Sequence, residues 1–143
     1  MVKVRGVKEH VARVRKITGP QAVHELRKAV FDGADMVAGE AIHLITQGAV
    51  SGKFHVPSLP GQPPKNDTGD LKRGIQVESG GPLKALVTSS APHAVPLEVG
   101  TSKMAARPYM APAVKHTRKA IVAFITKAVN RIIAGRSTLS QPK

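Results

Sequence analysis

Six histidines, at positions 10, 24, 43, 55, 93 and 116, are the side chains of this sequence best suited to holding a metal ion or passing a proton. No two of them stand at a ligand spacing. The nearest approach to a metal motif is Glu40-x-x-His43, half of a carboxylate-bridged di-metal arrangement that needs a second copy and two further Glu on facing helices. The sequence holds no second copy, so the two residues read as an intrahelical pair. General acid-base catalysis needs two positioned titratable groups, and only nine carboxylates are present. Asp67 and Asp70 flank Gly69, and Asp32 and Asp35 lie one helical turn apart. Turn formation and a solvated helix face account for these pairs. Ser89, Ser90 and His93 are neighbours in the chain but lack a nucleophile elbow of the G-x-S-x-G kind. Neither Gly80-Gly81 nor Ser51-Gly52-Lys53 continues into a phosphate-cradling loop. Without cysteine there are no disulfides or thiolate sites. The residues therefore predict no catalytic group, no metal and no cofactor, and not an enzyme.

Charge speaks more loudly than any of these groups. The chain has 22 Lys and Arg against 9 Asp and Glu, a net +13, and no acidic residue follows Glu98. Such an excess points to a polyanionic neighbour, whether nucleic acid, an anionic surface or an acidic protein. Single-strand binding modules interleave their cations with aromatic stacking platforms, and aromatics make up only 3% of this chain. Non-specific duplex contact through Lys115, Lys119, Lys127 and Arg131 stays open, so a small basic DNA-binding protein is the alternative reading. The longest clean apolar run, Ala120 to Ile125, is far too short to span a bilayer, and no apolar stretch follows the N-terminal charges as a signal peptide requires. No membrane is expected as a partner.

The elements that must carry these residues follow from periodicity. Val2, Val4 and Val7 suggest a short strand, and Val7, Val11, Val14 and Ile17 step at helical intervals. Thr18-Gly19-Pro20 breaks that helix and places Pro20 at the start of the next. From Pro20 to about Gly48 the apolar positions Val23, Leu26, Val30, Ala34, Val37, Ala41 and Leu44 form one stripe, a helix about 43 Å long at 1.5 Å per residue. Gly33 and Gly39 within it are either weak points or places of close approach. Ser51 to Asp70, rich in Pro and Gly, is a long extended loop. Leu71 to Val77 and Leu83 to Ser89 read as a hairpin around Ser79-Gly80-Gly81-Pro82, with a third strand over Pro96 to Val99. Pro112 opens a basic helix whose apolar face is Val114, Ile121, Phe124, Ile125, Ala128 and Ile132, and Gly135 closes it. The expected fold is α+β: a long N-terminal helix and a basic C-terminal helix packed on a small antiparallel sheet, in one domain over 1–134. Residues 135–143 are expected to be a disordered tail.

Two segments are more specific than any periodicity. Glu98-Val-Gly100-Thr101-Ser102-Lys103-Met104, followed by Arg107-Pro108-Tyr109 and by Pro112-Ala at a helix start, resembles the signature of the phage head-tail joining and tail-completion family. Upstream, Pro60-Gly61-Gln-Pro63-Pro64 and Thr68-Gly69-Asp-Leu71, leading to Ile75, are similar to the same family's proline loop and strand start, with Gly74 where Ser is usual. The order of elements also matches, over roughly residues 5 to 130. The resemblance implies a structural virion protein that forms a ring, expected to be hexameric, between the capsid portal side and the tail tube. Its implied neighbours are copies of itself, head-completion or connector proteins, tail-tube proteins and packaged DNA. Its implied location is the virion, after assembly in the host cytoplasm.

Physical chemistry gives those motifs a reading of their own. Gly100 opens a turn closed to other residues, where Thr101 or Ser102 can hydrogen-bond the backbone. Pro108 and Pro112 stiffen the exit and hold Tyr109, as an outward anchor or as a core side chain. Rigid turns suit positioning. The loop from Val56 to Asp70 is expected to be an arm that crosses to a neighbouring subunit.

Overall fold

A computed structural model describes residues 6–134 of the protein. Helix α1 spans Val7–Thr18, so Val7 belongs to a helix, and the rest of the expected first strand lies outside the described residues. Gly19 takes an extended conformation between helices, and α2, Pro20–Thr46, begins with Pro20 at its first position. The break falls where a residue without an N–H is best tolerated.

Helix α2 buries Ala22, Ala29, Gly33, Ala34, Val37, Ala38, Ala41 and Ile45. The predicted stripe thus holds over its second half, whereas Val23 is exposed and alanines replace it against the body. Small residues let another helix approach closely. At Gly33 an added Cβ would sit 3.1 Å from Ile121 Cγ2, while Gly39 has nothing within 4 Å. One glycine marks a close approach and the other is only a weak point.

After a 3-10 turn at Gly52–Phe54 the chain runs as an irregular loop to α3, Asp70–Gly74. The expected strand over Leu71 to Gly74 is therefore helical, and the reason is visible in burial. Leu71 and Gly74, three residues apart, both face inward, and Arg73 turns back onto Asp70, a helical spacing. Strand β1, Ile75–Gly81, then pairs antiparallel with β2, Lys84–Ser89, with Val77 opposite Val87 and an irregularity between Ser79 and Gly81. The described sheet has two strands. The third strand expected over Pro96 to Val99 is instead helix α4, Ala94–Val99. Pro96 falls in the first turn of α4, where its missing N–H costs nothing, and Ala94 is drawn into the core.

Helix α5, Met110–Ile133, starts two residues before Pro112, which sits in its first turn. Its main packing partner is α2, and one helix covers only part of its apolar face. Ile121, Ile125, Ala128 and Ile132 are half-buried, but Val114 and Phe124, expected inside, are exposed. The expected stop at Gly135 and the expected tail lie outside the described residues. The core gathers Val37, Ala38, Ala41 and Ile45 of α2, Leu71, Ile75, Ala94, Tyr109 and Ala113. It is aliphatic and small, and Tyr109 and Ile45 are its largest fully buried side chains. The α+β architecture matches the expectation.

Candidate assembly site

The two motif segments, more than twenty residues apart in sequence, meet on one side of this core. The proline loop is tied back at two backbone bonds: Gly61 N–H donates to Ala106 C=O at 2.9 Å, and Asn66 N–H to Ile45 C=O at 2.7 Å. Between them Pro64 is buried and Pro63 half-buried, whereas Pro60 and Gly61 face solvent. Thr68 donates its hydroxyl to Asp70 Oδ2 at 2.6 Å, and Arg73 donates to Asp70 Oδ1. The Thr68 bond, then the Arg73 bond, hold the Asp70 carboxyl below its ordinary value. Gly69 supplies the left-handed conformation, φ 86°, immediately before α3, and Leu71 and Ile75 enter the core.

At the other segment, α4 ends on Gly100 with φ 78° and ψ 178°. A Cβ there would lie 2.9 Å from Ala106 N and 3.0 Å from Met104 O, so no side chain fits. Thr101 and Met104 pair as an antiparallel bridge, Lys103 N–H donates to Thr101 Oγ1 at 3.3 Å, and Ser102 and Lys103 stay exposed. Arg107 N–H donates to Leu97 C=O at 2.7 Å and closes the turn.

Glu98, expected at a strand end, does something periodicity does not show. Its carboxylate accepts from the backbone N–H groups of Tyr109 at 2.9 Å, Met110 at 3.0 Å and Ala111 at 2.9 Å. These are the unpaired donors of the first turn of α5, and a negative charge there also suits the helix dipole. The one sequence signal was negative: position 109, where a Ser, Thr, Asp or Asn would cap the helix, holds Tyr. Tyr109, left open between outward anchor and core, is a core residue at 1% exposure. Burial pushes its phenol above the ordinary value of 10.0, with Ser89 opposing and the Glu98 carboxylate adding. Pro108 is half-buried beside it.

Lys115, Lys119, Lys127 and Arg131 all lie exposed on α5. Glu40 does not pair along its own helix alone. It accepts from His116 Nδ1 of α5 at 2.8 Å, with His43 Nδ1 at 4.0 Å. Among the described residues no group of three His, Cys, Asp or Glu is placed to hold a metal ion, and no helix is long and apolar enough to cross a membrane.

The arrangement is a double latch built of turns and caps. A family model described as "Bacteriophage HK97-gp10, putative tail-component" matches residues 8–100, well over half of the chain. The chain belongs to this HK97-gp10-like family. The matched stretch takes in α1, α2, the proline loop, the hairpin and α4, and it stops at Gly100, so the Thr101 to Pro112 turn and α5 lie beyond it. No curated protein and no solved structure matches the chain. Membership of a phage tail-component family makes the protein a tail-related structural component of a virion.

Proposed function

We propose that this HK97-gp10-like protein closes into a homo-oligomeric ring, a hexamer, at the head-tail junction, and joins the capsid portal side to the tail tube by interlocking surfaces without turnover. The observation that carries the reading is α1. Its apolar positions recur at helical spacing, yet Val7, Val11 and Val14 are 52%, 42% and 40% exposed and the helix buries no residue. An amphipathic stripe left in water is a surface in want of a neighbour. Phe54, Val56 and Leu59, at 76%, 63% and 66% exposure, form a second such surface on the proline loop, between the turn at Gly52 and the tie at Gly61. Two unlike surfaces on one chain suit a heterologous contact that closes by rotation, and the loop from Val56 to Asp70, tied to its own chain at Gly61 and Asn66, is the arm that presents its exposed face to the neighbour. Connector or head-completion proteins lie on one side of the ring and tail-tube proteins on the other.

The test is electron microscopy of lysates from the encoding phage or prophage with this gene interrupted and then complemented. Filled heads beside separate tails establish joining, and tails of abnormal length make the protein a terminator. Intact, infectious particles overturn the reading.

A second reading, non-specific DNA binding, rests on the exposure of Lys115, Lys119, Lys127 and Arg131 in a chain with no acidic residue after Glu98. Four phosphate contacts give a slope of log affinity against log salt of about −3.6. In a ring, packaged DNA meets this face in the channel, and charge-neutral variants at these four positions flatten the slope.

A further inference from the structure

Three buried side-chain polar atoms, Ser58 Oγ, Asn66 Oδ1 and Arg107 Nε, have no hydrogen-bond partner among the described residues. All three residues line one pocket of about 230 Å³ between the proline loop, the start of α3 and α4. Buried polar atoms are ordinarily paired, so three unpaired ones around one pocket call for an explanation. Ser58 is itself only 5% exposed.

The charges around the pocket say what would satisfy them. Lys65, Arg107, His55 and His93 line it, and so do Asp67 and Asp70. Both carboxylates are already engaged: Asp67 Oδ1 accepts from Gly52 N–H at 2.8 Å and has His55 Nδ1 at 4.0 Å, and Asp70 accepts from Thr68 and Arg73. No such carboxylate partner holds Lys65 or Arg107 among the described residues. The unused capacity is therefore mostly that of donors: a guanidinium N–H, a hydroxyl and an ammonium. The Asn66 amide presents an acceptor, or donors when turned over.

We propose that this pocket is a binding site for a small oxyanion, a phosphate or a carboxylate, gripped by Arg107 and Ser58 with Asn66 and Lys65 beside them. The proline loop forms one wall, so a small displacement of the loop lets the guest reach atoms that are now covered. Guest and loop are coupled as a result: the anion locks the loop from Ser58 to Asn66 onto the turn at Arg107. The site does not depend on the ring reading.

The test is an amide NMR titration of the full chain with inorganic phosphate and, separately, with acetate, each at constant ionic strength set by chloride. Expected are saturable shifts sharing one midpoint at Ser58, Asn66, Leu97 and Arg107. Affinity should weaken at least tenfold in Arg107→Gln and several-fold in Ser58→Ala, and stay unchanged in Lys84→Gln on the hairpin turn. Saturation by phosphate alone identifies a phosphate guest, and saturation by acetate as well identifies a carboxylate, such as an acidic side chain of a neighbouring protein. Shifts that never saturate, or that are the same in Ser58→Ala and Arg107→Gln as in the parent chain, overturn the proposal and leave water as the filling.

Discussion

Glu98 caps α5 from eleven to thirteen residues away, a task a neighbouring Ser or Asp performs in most helices. One carboxylate satisfies three backbone donors, and charge-assisted bonds of this kind are stronger than neutral ones. Glu98→Ala should lower unfolding stability by about 2 kcal/mol, and Glu98→Gln, which keeps one acceptor oxygen, by about half as much. Urea unfolding measures both, and an unchanged midpoint in Glu98→Ala would show that the cap contributes nothing. Tyr109 offers a second test, because it is the only tyrosine in the chain. Its phenol titrates higher in the folded state than the 10.0 of an unfolded chain. Above pH 10 the unfolded state therefore loses its proton first. The stability contribution is complete below pH 10 and is lost as pH rises through the folded value. Ultraviolet titration of the native protein should show a midpoint above 10 that falls to about 10 in urea, and Tyr109→Phe should remove that part of the alkaline destabilisation.

Between elements, the seam of α2 and α5 distinguishes two glycines that look alike in the sequence. Gly39→Ala adds a methyl into open space in a helix and should stabilise by about 0.5–1 kcal/mol. Gly33→Ala should lack that gain, because Ile121 has to yield. A pair of thermal melts decides it, and equal gains would mean the seam is looser than its 3.1 Å approach indicates. The misread elements belong to this scale too. Pro96 and the stretch from Leu71 to Gly74 were read as strand, yet they lie in short helices: α4, which buries Ala94, and α3, which the Thr68–Asp70–Arg73 cluster holds, while Ile75 to Val77 is strand as expected. Segments of five or six residues are too short for periodicity to separate the two states.

For the molecule as a whole, α1 is decisive because it adds little to the fold of its own chain. A Val11→Ser, Val14→Ser double variant should unfold within about 0.5 kcal/mol of the parent, since both side chains are already exposed. On the proposed ring assembly through α1, the mass measured by light scattering should fall in the same variant from that of the parent oligomer to that of a single chain. A ring of undiminished mass would move the subunit contact away from α1.

Read alone, the sequence determined what depends on near neighbours along the chain. The two N-terminal helices and their break at Pro20, the hairpin, the basic last helix and the aliphatic core follow from spacings within a turn or two, which local backbone geometry enforces. The proline-loop motif was legible because turn residues carry their conformation in their own chemistry, and the family match, over residues 8–100, covers the stretch that holds it. Tertiary structure alone decided that Tyr109 faces inward, that Glu98 caps α5, that Glu40 pairs with His116 76 residues away, and that Ser58, Asn66 and Arg107 share one pocket. The reason is physical: those partnerships satisfy buried polar groups and fill the core across long loops, and no repeat along the chain records which distant segment will supply the partner.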